Sequence, residues 1–230
     1  MLWNRLAALL IGALGAVVAP GAGAADIPAL RGTSQKHDTT APRFFLHVGP
    51  AGLILDERAE IYAAGTRVDG GSIKIKSHLT FAVEAGYYLT PNLAVSFTGG
   101  LPPNVKIEAS GTMDGLGRVG ATTYGPTTAT LHYHVTEMGR FQPYFGVGPA
   151  FMYVFDETDG IMSKLHIKHA VGYAVQAGAN YMFTDRLGVF FDVKKAILRT
   201  EATGSLGAAP IKADIKLDPL VLHTGVTLKF

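Results

Sequence analysis

The histidines at positions 132 and 134 are the pair of side chains in this sequence with the widest range of possible chemistry. His132 and His134 lie two positions apart, which puts both on the same face of a β-strand. Such a pair could bind a metal ion or, together with a serine and an acid, resemble the dyad of a lipid hydrolase. A chain with eight histidines produces this spacing easily by coincidence. We therefore interpret both as polar residues lining an interior, and we expect neither a catalytic residue nor a metal site.

Charged residues within otherwise apolar segments form a second set of interest. Glu84, Asp192, Lys194 and Lys195 each interrupt a run of apolar and small residues. A charge that leaves water needs an opposite charge and hydrogen-bond partners. We therefore predict that these side chains form a network of salt bridges that fills the interior of the protein.

The composition indicates a chain that is not surrounded by water on all sides. Hydrophobic residues make up 48% of the 230 residues and charged residues only 17%, against roughly 25% charged residues in an ordinary soluble domain. The formal net charge of +2 and the lack of a basic run argue against nucleic acid as a partner. Without cysteine the chain has no disulfides, thiolate zinc sites or cysteine nucleophiles, and we expect no cofactor.

Residues 1–25 have the three-part pattern of a cleaved secretory signal. Arg5 precedes a long apolar stretch, Pro20 and Gly21 break it, and small residues follow up to Asp26. A membrane-spanning helix is the alternative, but the break and the small residues disfavour it. Residues 26–42 are polar and without a clear period, and we interpret them as a flexible arm before a single domain at 43–230.

Eight segments of that domain show the period-two alternation of β-strands. They span residues 43–55, 72–89, 93–107, 127–135, 141–155, 166–183, 187–199 and 211–230. In the sixth segment, Val171, Tyr173 and Val175 form an apolar face, and Gly172 and Gln176 lie on the opposite one. Each segment is long enough to cross a bilayer as a tilted strand, for which about 9–11 residues suffice.

The alternation predicts an all-β fold: an eight-stranded antiparallel up-and-down transmembrane β-barrel with lipid outside and a narrow polar interior. A soluble lipocalin-like barrel is the alternative, but it would bury its apolar face and expose its polar one. Short turns near residues 90–92, 137–140 and 184–186 alternate with long connections at 56–71, 108–126, 156–165 and 200–210. We interpret the long ones as extracellular loops, which puts both termini at the periplasmic end.

Several stretches resemble the OmpW family of small outer-membrane barrels. The resemblance covers residues 44–230, and its most specific parts are FQPYFGVG at 141–148, QAGANY at 176–181 and LDP at 217–219, followed by Gly225 and Phe230. It implies an eight-stranded barrel whose lumen admits small, mainly hydrophobic molecules and releases them sideways into the membrane. Eight strands leave room for side chains or one small ligand, so a wide porin channel is disfavoured.

The sequence departs from the family at a constriction formed by a leucine and a tryptophan, whose aligned positions here are Thr98 and Lys194. This predicts a polar constriction. Lys74 and Lys76 could contact lipopolysaccharide phosphates, but their alternation with isoleucines favours ordinary inward polar positions. The candidate lumen-lining or ligand-binding residues on inward parity are Phe45, His47, Leu53, Leu55, His78, Thr98, His132, Met152, Gln176, Phe190, Asp192 and Lys194.

The leading functional hypothesis is a narrow outer-membrane channel or binding lumen for uptake of small hydrophobic or amphipathic molecules, without enzyme activity. A lipid-A-modifying barrel enzyme and a structural or adhesive barrel with a plugged lumen are the alternatives. The expected location is the Gram-negative outer membrane, with membrane lipid and lipopolysaccharide, small hydrophobic solutes and the barrel-assembly machinery as partners. Leu228 and Phe230, at the end of the last strand, resemble the signal that this machinery recognises.

Overall fold

The structure of the protein is a computed structural model that describes residues 42–55 and 57–230. The predicted signal segment (1–25) and the predicted arm (26–42) lie outside these residues, apart from Pro42. In the described part of the chain every regular element is a β-strand, and no helix is long and apolar enough to cross a membrane.

The described residues form 14 strands in one continuous sheet. They are β1 (Phe44–Ile54), β2 (Glu57–Ala63), β3 (Thr66–Arg67), β4 (Gly71–Ile75), β5 (His78–Tyr88), β6 (Leu93–Gly100), β7 (Asn104–Gly111), β8 (Arg118–His134), β9 (Phe141–Asp159), β10 (Ser163–Ile167), β11 (Ala170–Met182), β12 (Leu187–Leu206), β13 (Ala209–Leu217) and β14 (Leu220–Lys229).

Eight of these strands close a ring in the order β1, β5, β6, β8, β9, β11, β12, β14 and back to β1, and every pair is antiparallel. The ring closes where β14 pairs with β1, and the Phe230 amide donates a hydrogen bond to the Phe44 carbonyl at 3.0 Å. Because a closed ring satisfies every strand edge, it suits a solvent that cannot hydrogen bond. The predicted eight-stranded antiparallel barrel is confirmed.

An apolar belt surrounds the ring. Outward positions alternate with inward ones along each strand, and the outward side chains are large, apolar and exposed; Leu79, for example, is 76% exposed. The belt includes Phe81, Val95, Phe97, Leu131, Tyr133, Phe145, Val147, Val171, Tyr173, Val175, Tyr181, Val189, Phe191 and Leu228. In water such a surface would aggregate, whereas in a bilayer it is the lipid face of a barrel.

Two predicted strands are each divided in the structure. The segment 72–89 becomes β4 and β5, interrupted at Lys76 and Ser77, and 93–107 becomes β6 and β7, interrupted at residues 101–103, which include two prolines without an amide hydrogen. Each interruption reverses the alternation of faces. Lys74 is therefore exposed while Ile73 is buried. The prediction that Lys74 and Lys76 point inward is wrong.

The long connections are also more regular than loops. The described residues of 56–71, 108–126, 156–165 and 200–210 contain β2, β3, most of β10 and parts of β7 and β13, and they continue the ring strands β8, β9 and β12 beyond the ring. Their glycines and charges suggested loops, but buried apolar residues alternate with the polar ones, including Ile61, Val119, Leu165 and Ala202. The barrel therefore continues outward as a β-walled cup. We call this the outer end, and the end with the short turns the inner end.

The cup consists of two hydrogen-bonded groups of strands: β4, β7, β8 and β9 on one side, and β10, β12, β13, β2 and β3 on the other.

Carboxylates connect β9 to β10, where the two groups meet. Asp159 accepts hydrogen bonds from the amides of Lys164 and Leu165, each at 2.9 Å, and Glu157 accepts one from the Ile167 amide. These amide bonds lower the pKa of Asp159.

A salt-bridge cluster lies on the outer surface of the other group, beyond the ring. Glu201 of β12 contacts Lys168 Nζ at 2.7 Å and Lys212 Nζ of β13 at 2.9 Å. Hydrogen bonds from these two ammonium groups lower the pKa of Glu201 to about 2, and the bond to Glu201 raises that of Lys212. The cluster therefore connects β13 to β12 and to the segment that follows β10.

We predict that this cluster contributes to stability in a pH-dependent way. Because the folded protein lowers the pKa of Glu201, the contribution is complete above the ordinary carboxyl range and is lost as the pH falls towards about 2. Thermal unfolding of the wild type and of Glu201→Gln should therefore differ at neutral pH and converge in acid. A difference in melting temperature that stays constant down to this pH would contradict the assignment.

Candidate functional site: a layered barrel interior

The twelve residues proposed from the sequence all lie on the interior side of the barrel or cup. Nine of them are buried, and Leu55, His78 and Thr98 are half-buried. They do not form one site but are distributed over three levels. From the inner end outward these are an aromatic layer, a polar layer and an apolar cavity.

The aromatic layer is built from Phe45, Tyr88, His134 and Tyr144. The Phe45 ring lies 5.4 Å from that of Tyr88 and 5.5 Å from that of His134, and the His134 ring stacks on Tyr144 at 4.9 Å. All four side chains are buried. This level is therefore filled by rings.

Glycines on neighbouring strands make room for these rings. Gly86 is the cross-strand partner of Phe45, Gly146 of His132 and Gly178 of Tyr144. A Cβ at Gly178 would lie 2.5 Å from the Tyr144 hydroxyl oxygen, and one at Gly86 would lie 2.1 Å from the Phe45 ring. The glycines thus allow large side chains inside an eight-stranded ring.

We predict that Gly178→Ala destabilises the barrel by about 1–3 kcal/mol, because the new methyl group overlaps Tyr144. The matched control is Gly52→Ala, since a Cβ at Gly52 meets nothing within 4 Å. Urea unfolding in detergent micelles measures both free energies. Equal values for the two variants would show that Tyr144 is not confined by Gly178.

The polar layer is centred on the carboxylate of Glu84, which has no solvent exposure. Glu84 Oε2 lies 2.9 Å from His47 Nδ1, and Oε1 accepts hydrogen bonds from Ser96 Oγ at 2.9 Å and Thr98 Oγ1 at 3.1 Å. Gln176 Nε2 donates to the same carboxylate at 3.2 Å. These partners come from β1, β6 and β11, so one side chain connects strands around the ring.

A second buried carboxylate, Asp192, shares the ammonium group of Lys194 with Glu84. Lys194 Nζ lies 3.0 Å from Asp192 Oδ1 and 3.4 Å from Glu84 Oε1. The Tyr144 hydroxyl donates to Asp192 Oδ2 at 2.9 Å, which links the polar layer to the aromatic one. The predicted interior network is therefore present around Glu84, Asp192 and Lys194.

Lys195 is the exception to that prediction. Its side chain is half-buried, and its ammonium group donates to the Asp218 carbonyl at the turn before β14. Consecutive residues of a strand point to opposite faces, so Lys194 and Lys195 cannot both point inward. Including Lys195 in the interior network was therefore wrong.

The sequence reasoning missed several members of the network. Ser96 and Thr130 are buried and within hydrogen-bond distance of each other, at 2.8 Å, and each hydroxyl also approaches His132 Nε2. Tyr144 is buried as well, and it is not among the proposed site residues. The signal for all three is that each has the same inward parity as a proposed site residue of its own strand: Ser96 as Thr98, Thr130 as His132 and Tyr144 as Met152. Their side chains are uncharged, so none of them interrupts an apolar segment with a charge as Glu84, Asp192 and Lys194 do.

The structure does not assemble a hydrolase from these residues. Ser96 Oγ lies 3.0 Å from His132 Nε2, as in a dyad, but it donates its proton to Glu84. A triad carboxylate holds the other ring nitrogen, whereas Glu84 Oε1 is 3.6 Å from His132 Nε2 and His132 Nδ1 has no partner among the described residues. The serine also faces the lumen rather than the lipid.

An apolar cavity lies on the outer side of the polar layer. Its lower chamber, of about 70 Å³, has Lys194 at its floor and Leu53, Leu55, Met152 and Ala196 in its wall. An upper chamber of about 150 Å³ lies within the cup. Both chambers are bordered by Ile73, Ile107 and Ile215. Both are large enough for more than a single water molecule, which needs roughly 10–15 Å³ in this measure.

The wall of the lower chamber is not fully hydrogen bonded. Pairing of β6 with β8 ends at Thr98 and Thr128, and hydrogen bonding to β8 resumes where the Tyr124 amide donates to the Pro103 carbonyl at 3.3 Å, next to the first β7–β8 pair, Asn104 and Thr123. The interruption coincides with Pro102 and Pro103. Along the described chain, the hydroxyls of Thr127 and Thr128 beside this gap have no hydrogen-bond partner, and both residues line the chamber.

We predict that Lys194→Met costs about 3–5 kcal/mol of stability, because it leaves two buried carboxylates without their cation. Lys195→Met, outside the network, should cost less. Asp192→Asn in the Lys194→Met background should recover part of the loss, since it removes one uncompensated charge. Urea unfolding of the four proteins tests this. If Lys194→Met is as stable as wild type, Glu84 and Asp192 do not depend on Lys194.

Comparisons with known proteins agree with this architecture. The sequence model of the OmpW family matches residues 40–230. Outer membrane protein AlkL of Ectopseudomonas oleovorans is 31% identical over 175 residues, which cover 76% of each chain. The dibenzothiophene metabolism operon protein PahQ of Pseudomonas aeruginosa is 30% identical over 183 residues, which cover 80% of this chain and 86% of PahQ.

Solved structures of outer-membrane proteins have the same barrel fold. The crystal structure of OprG from Pseudomonas aeruginosa superimposes with a TM-score of 0.77 at 23% identity, covering 83% of this chain and 96% of OprG. The solid-state NMR structure of AlkL in lipid bilayers superimposes with a TM-score of 0.68 at 27% identity, covering 90% of this chain and 97% of AlkL. The layered interior thus lies within a barrel of known type.

Proposed function

The chain belongs to the OmpW family and is an outer-membrane β-barrel, and from this premise we propose that it takes up small hydrophobic molecules through its outer cavity. The observation that carries the proposal is the apolar cavity above a charged layer. A cavity lined by Leu53, Met152 and Ala196 favours apolar ligands over water. The ligand enters by partition from the outer end, and no enzymatic step is required.

The polar layer supports a sideways route out of the cavity. To continue along the axis, a hydrophobic ligand would have to separate Lys194 from Glu84 and Asp192, which are buried and hydrogen bonded, and would then meet the aromatic layer. Separating buried ion pairs costs several kcal/mol. Strand pairing is interrupted beside Pro102, Pro103 and Thr127. A ligand could leave towards the lipid there without breaking a continuous row of hydrogen bonds between strands.

The name of one relative supports an aromatic hydrophobe as the ligand class. PahQ belongs by name to an operon for the metabolism of dibenzothiophene, a flat apolar molecule with three fused rings. Leu, Ile, Val and Met side chains line both chambers here and can pack against such a molecule. We infer that this chain accepts molecules of similar chemistry.

Leu228 and Phe230 support the proposed recognition by the assembly machinery. Both are exposed at the end of the last ring strand, and the Phe230 ring stacks on Phe44 at 6.0 Å. They thus remain accessible at the place where the ring closes. We propose this role in assembly from the sequence pattern of the last strand.

We predict that filling the lower chamber abolishes uptake. Ala196→Trp places a large side chain in the cavity. Leu198→Trp, in the same wall, is a second variant that adds less side-chain volume. Ala85→Trp, on the lipid-facing side of β5, is the matched control. The initial rate of dibenzothiophene accumulation is measured in Gram-negative cells that produce each protein, after the heat-dependent gel shift of a folded barrel has been checked.

Both chamber variants should take up the probe at the rate of cells without the protein, and Ala85→Trp at the wild-type rate. A structural or adhesive barrel with a plugged lumen is the second candidate, favoured by the filled polar and aromatic layers. It would be supported if wild-type cells accumulate the probe no faster than cells without the protein. Uptake that persists in folded Ala196→Trp and Leu198→Trp would contradict the proposed route.

A further inference from the structure

The floor of the lower chamber presents two hydrogen-bond donors to a largely apolar space. One is the ammonium group of Lys194, which is 3% exposed and borders the chamber. The other is the hydroxyl of Thr128, whose oxygen is buried and has no hydrogen-bond partner among the described residues. The neighbouring Thr127 lies on the opposite face of β8, since consecutive residues of a strand alternate. A buried donor without a partner is costly, so a ligand that bonds to it gains affinity.

The register of the strands places both donors beside one carboxylate oxygen. Thr128 of β8 is the cross-strand partner of Thr98 of β6, and directly opposed residues have Cβ atoms about 4.5–5.5 Å apart. Thr98 Oγ1 donates to Glu84 Oε1 at 3.1 Å, and Lys194 Nζ lies 3.4 Å from the same oxygen. Both donors therefore lie on the outer side of the polar layer, next to Glu84.

The ammonium group of Lys194 retains donor capacity for a ligand. An ammonium group carries three N–H donors and no acceptor. Within the described chain, the acceptors near Lys194 Nζ are Asp192 Oδ1 at 3.0 Å and Glu84 Oε1 at 3.4 Å. One N–H therefore remains for a group in the chamber. An oxygen atom that accepts from this N–H and from the Thr128 hydroxyl would satisfy the floor of the chamber.

The charges below the floor favour an uncharged ligand. Glu84 and Asp192 share the ammonium group of Lys194. A carboxylate on the ligand would bring a third anion to this ammonium group, and a cationic ligand would bring a second cation. Like charges repel strongly in a space that is poor in water. A neutral oxygen accepts both hydrogen bonds without this repulsion.

The following inference rests on the uptake function proposed above and names its ligand more closely. We propose that the lower chamber selects hydrophobic molecules that carry one neutral carbonyl oxygen, which accepts hydrogen bonds from Lys194 and Thr128. The apolar body of the ligand packs against Leu53, Met152 and Ala196. A hydrocarbon of the same shape would displace water from the two donors without replacing its hydrogen bonds, which lowers affinity. Lys194 and Thr128 therefore determine specificity.

Two probes of almost equal shape separate the polar contact from apolar packing. Fluorenone and fluorene have the same three-ring skeleton, but fluorenone has a carbonyl oxygen in place of two hydrogens. Thr128→Val removes the hydroxyl at nearly constant volume. Thr227→Val is the matched control, because the Thr227 hydroxyl is also buried and without a hydrogen-bond partner among the described residues, but Thr227 is not among those that line either chamber.

The affinity of each probe is measured by NMR on each protein in lipid nanodiscs, from the shift of the labelled Met152 methyl resonance during titration. Thr128→Val should weaken fluorenone binding about 2- to 10-fold, as expected for the loss of one hydrogen bond between neutral groups, and should leave fluorene binding unchanged. Thr227→Val should change neither. Partition of a probe into lipid is common to all three proteins and cancels from these ratios.

The outcomes distinguish this inference from the uptake function itself. Equal fluorenone affinity in wild type and Thr128→Val, or equal weakening of both probes, would overturn the inference while fluorene binding still supported uptake. If neither probe shifts the Met152 resonance of the wild type, the uptake function is contradicted and the inference fails with it.

The contact with Lys194 is tested by spectroscopy, because Lys194→Met is expected to destabilise the barrel. The probe is fluorenone labelled with carbon-13 at its carbonyl carbon. A hydrogen bond draws electron density from this carbon, so the bound probe should resonate at higher frequency than the probe in nanodiscs without protein. Thr128→Val should reverse only part of this shift, since Lys194 still donates. No shift in the wild type, or complete reversal in Thr128→Val, would overturn the assignment of Lys194.

Fluorene carboxylate tests the requirement for a neutral ligand, because it has the same ring system and a negative charge. At the concentration at which fluorenone saturates the wild type, this anion should not shift the Met152 resonance. A shift of similar size would show that the chamber accepts anions and would overturn the proposed selectivity.

Discussion

The structure depends on the need to compensate one buried carboxylate. Glu84 lies at the centre of a ring of eight strands and has no access to solvent. A buried charge of this kind is tolerated only when it is paired and fully hydrogen bonded. His47, Ser96, Thr98, Gln176 and Lys194 meet this requirement from four other strands. The polar layer that results divides the barrel interior into two parts.

The division explains the arrangement on either side of it. Towards the inner end, Tyr144 shares its hydroxyl with Asp192, and rings packed over glycines fill the remaining space. Towards the outer end, Lys194 is the one charged side chain among the described residues that borders the cavity, and most of the wall is apolar. The continuation of the ring strands into the cup then extends this apolar space beyond the membrane. A hydrophobic ligand therefore finds a favourable environment that ends at a charged floor.

Much of this arrangement follows from alternation in the sequence. Alternation assigns Phe45, His47, His132 and Lys194 to the interior, and the structure places them there. It fails where the chain changes face. The interruptions at residues 76–77 and 101–103 shift the parity by one, so Lys74 points outward. Local sequence also cannot reveal that Thr98 and Thr128 lie opposite each other, because their proximity depends on the register of two strands distant in sequence.

A hydrophobic ligand is expected to occupy the cavity above the polar layer and not to pass through that layer. Two buried methionines mark the two sides: Met152 lines the lower chamber, and Met182 lies inward near the inner end. With methyl-labelled methionine in lipid nanodiscs, NMR can detect contacts between dibenzothiophene protons and each methyl group. We expect contacts to Met152 and none to Met182. Contacts to Met182, or to neither methyl group at saturating ligand, would contradict this account.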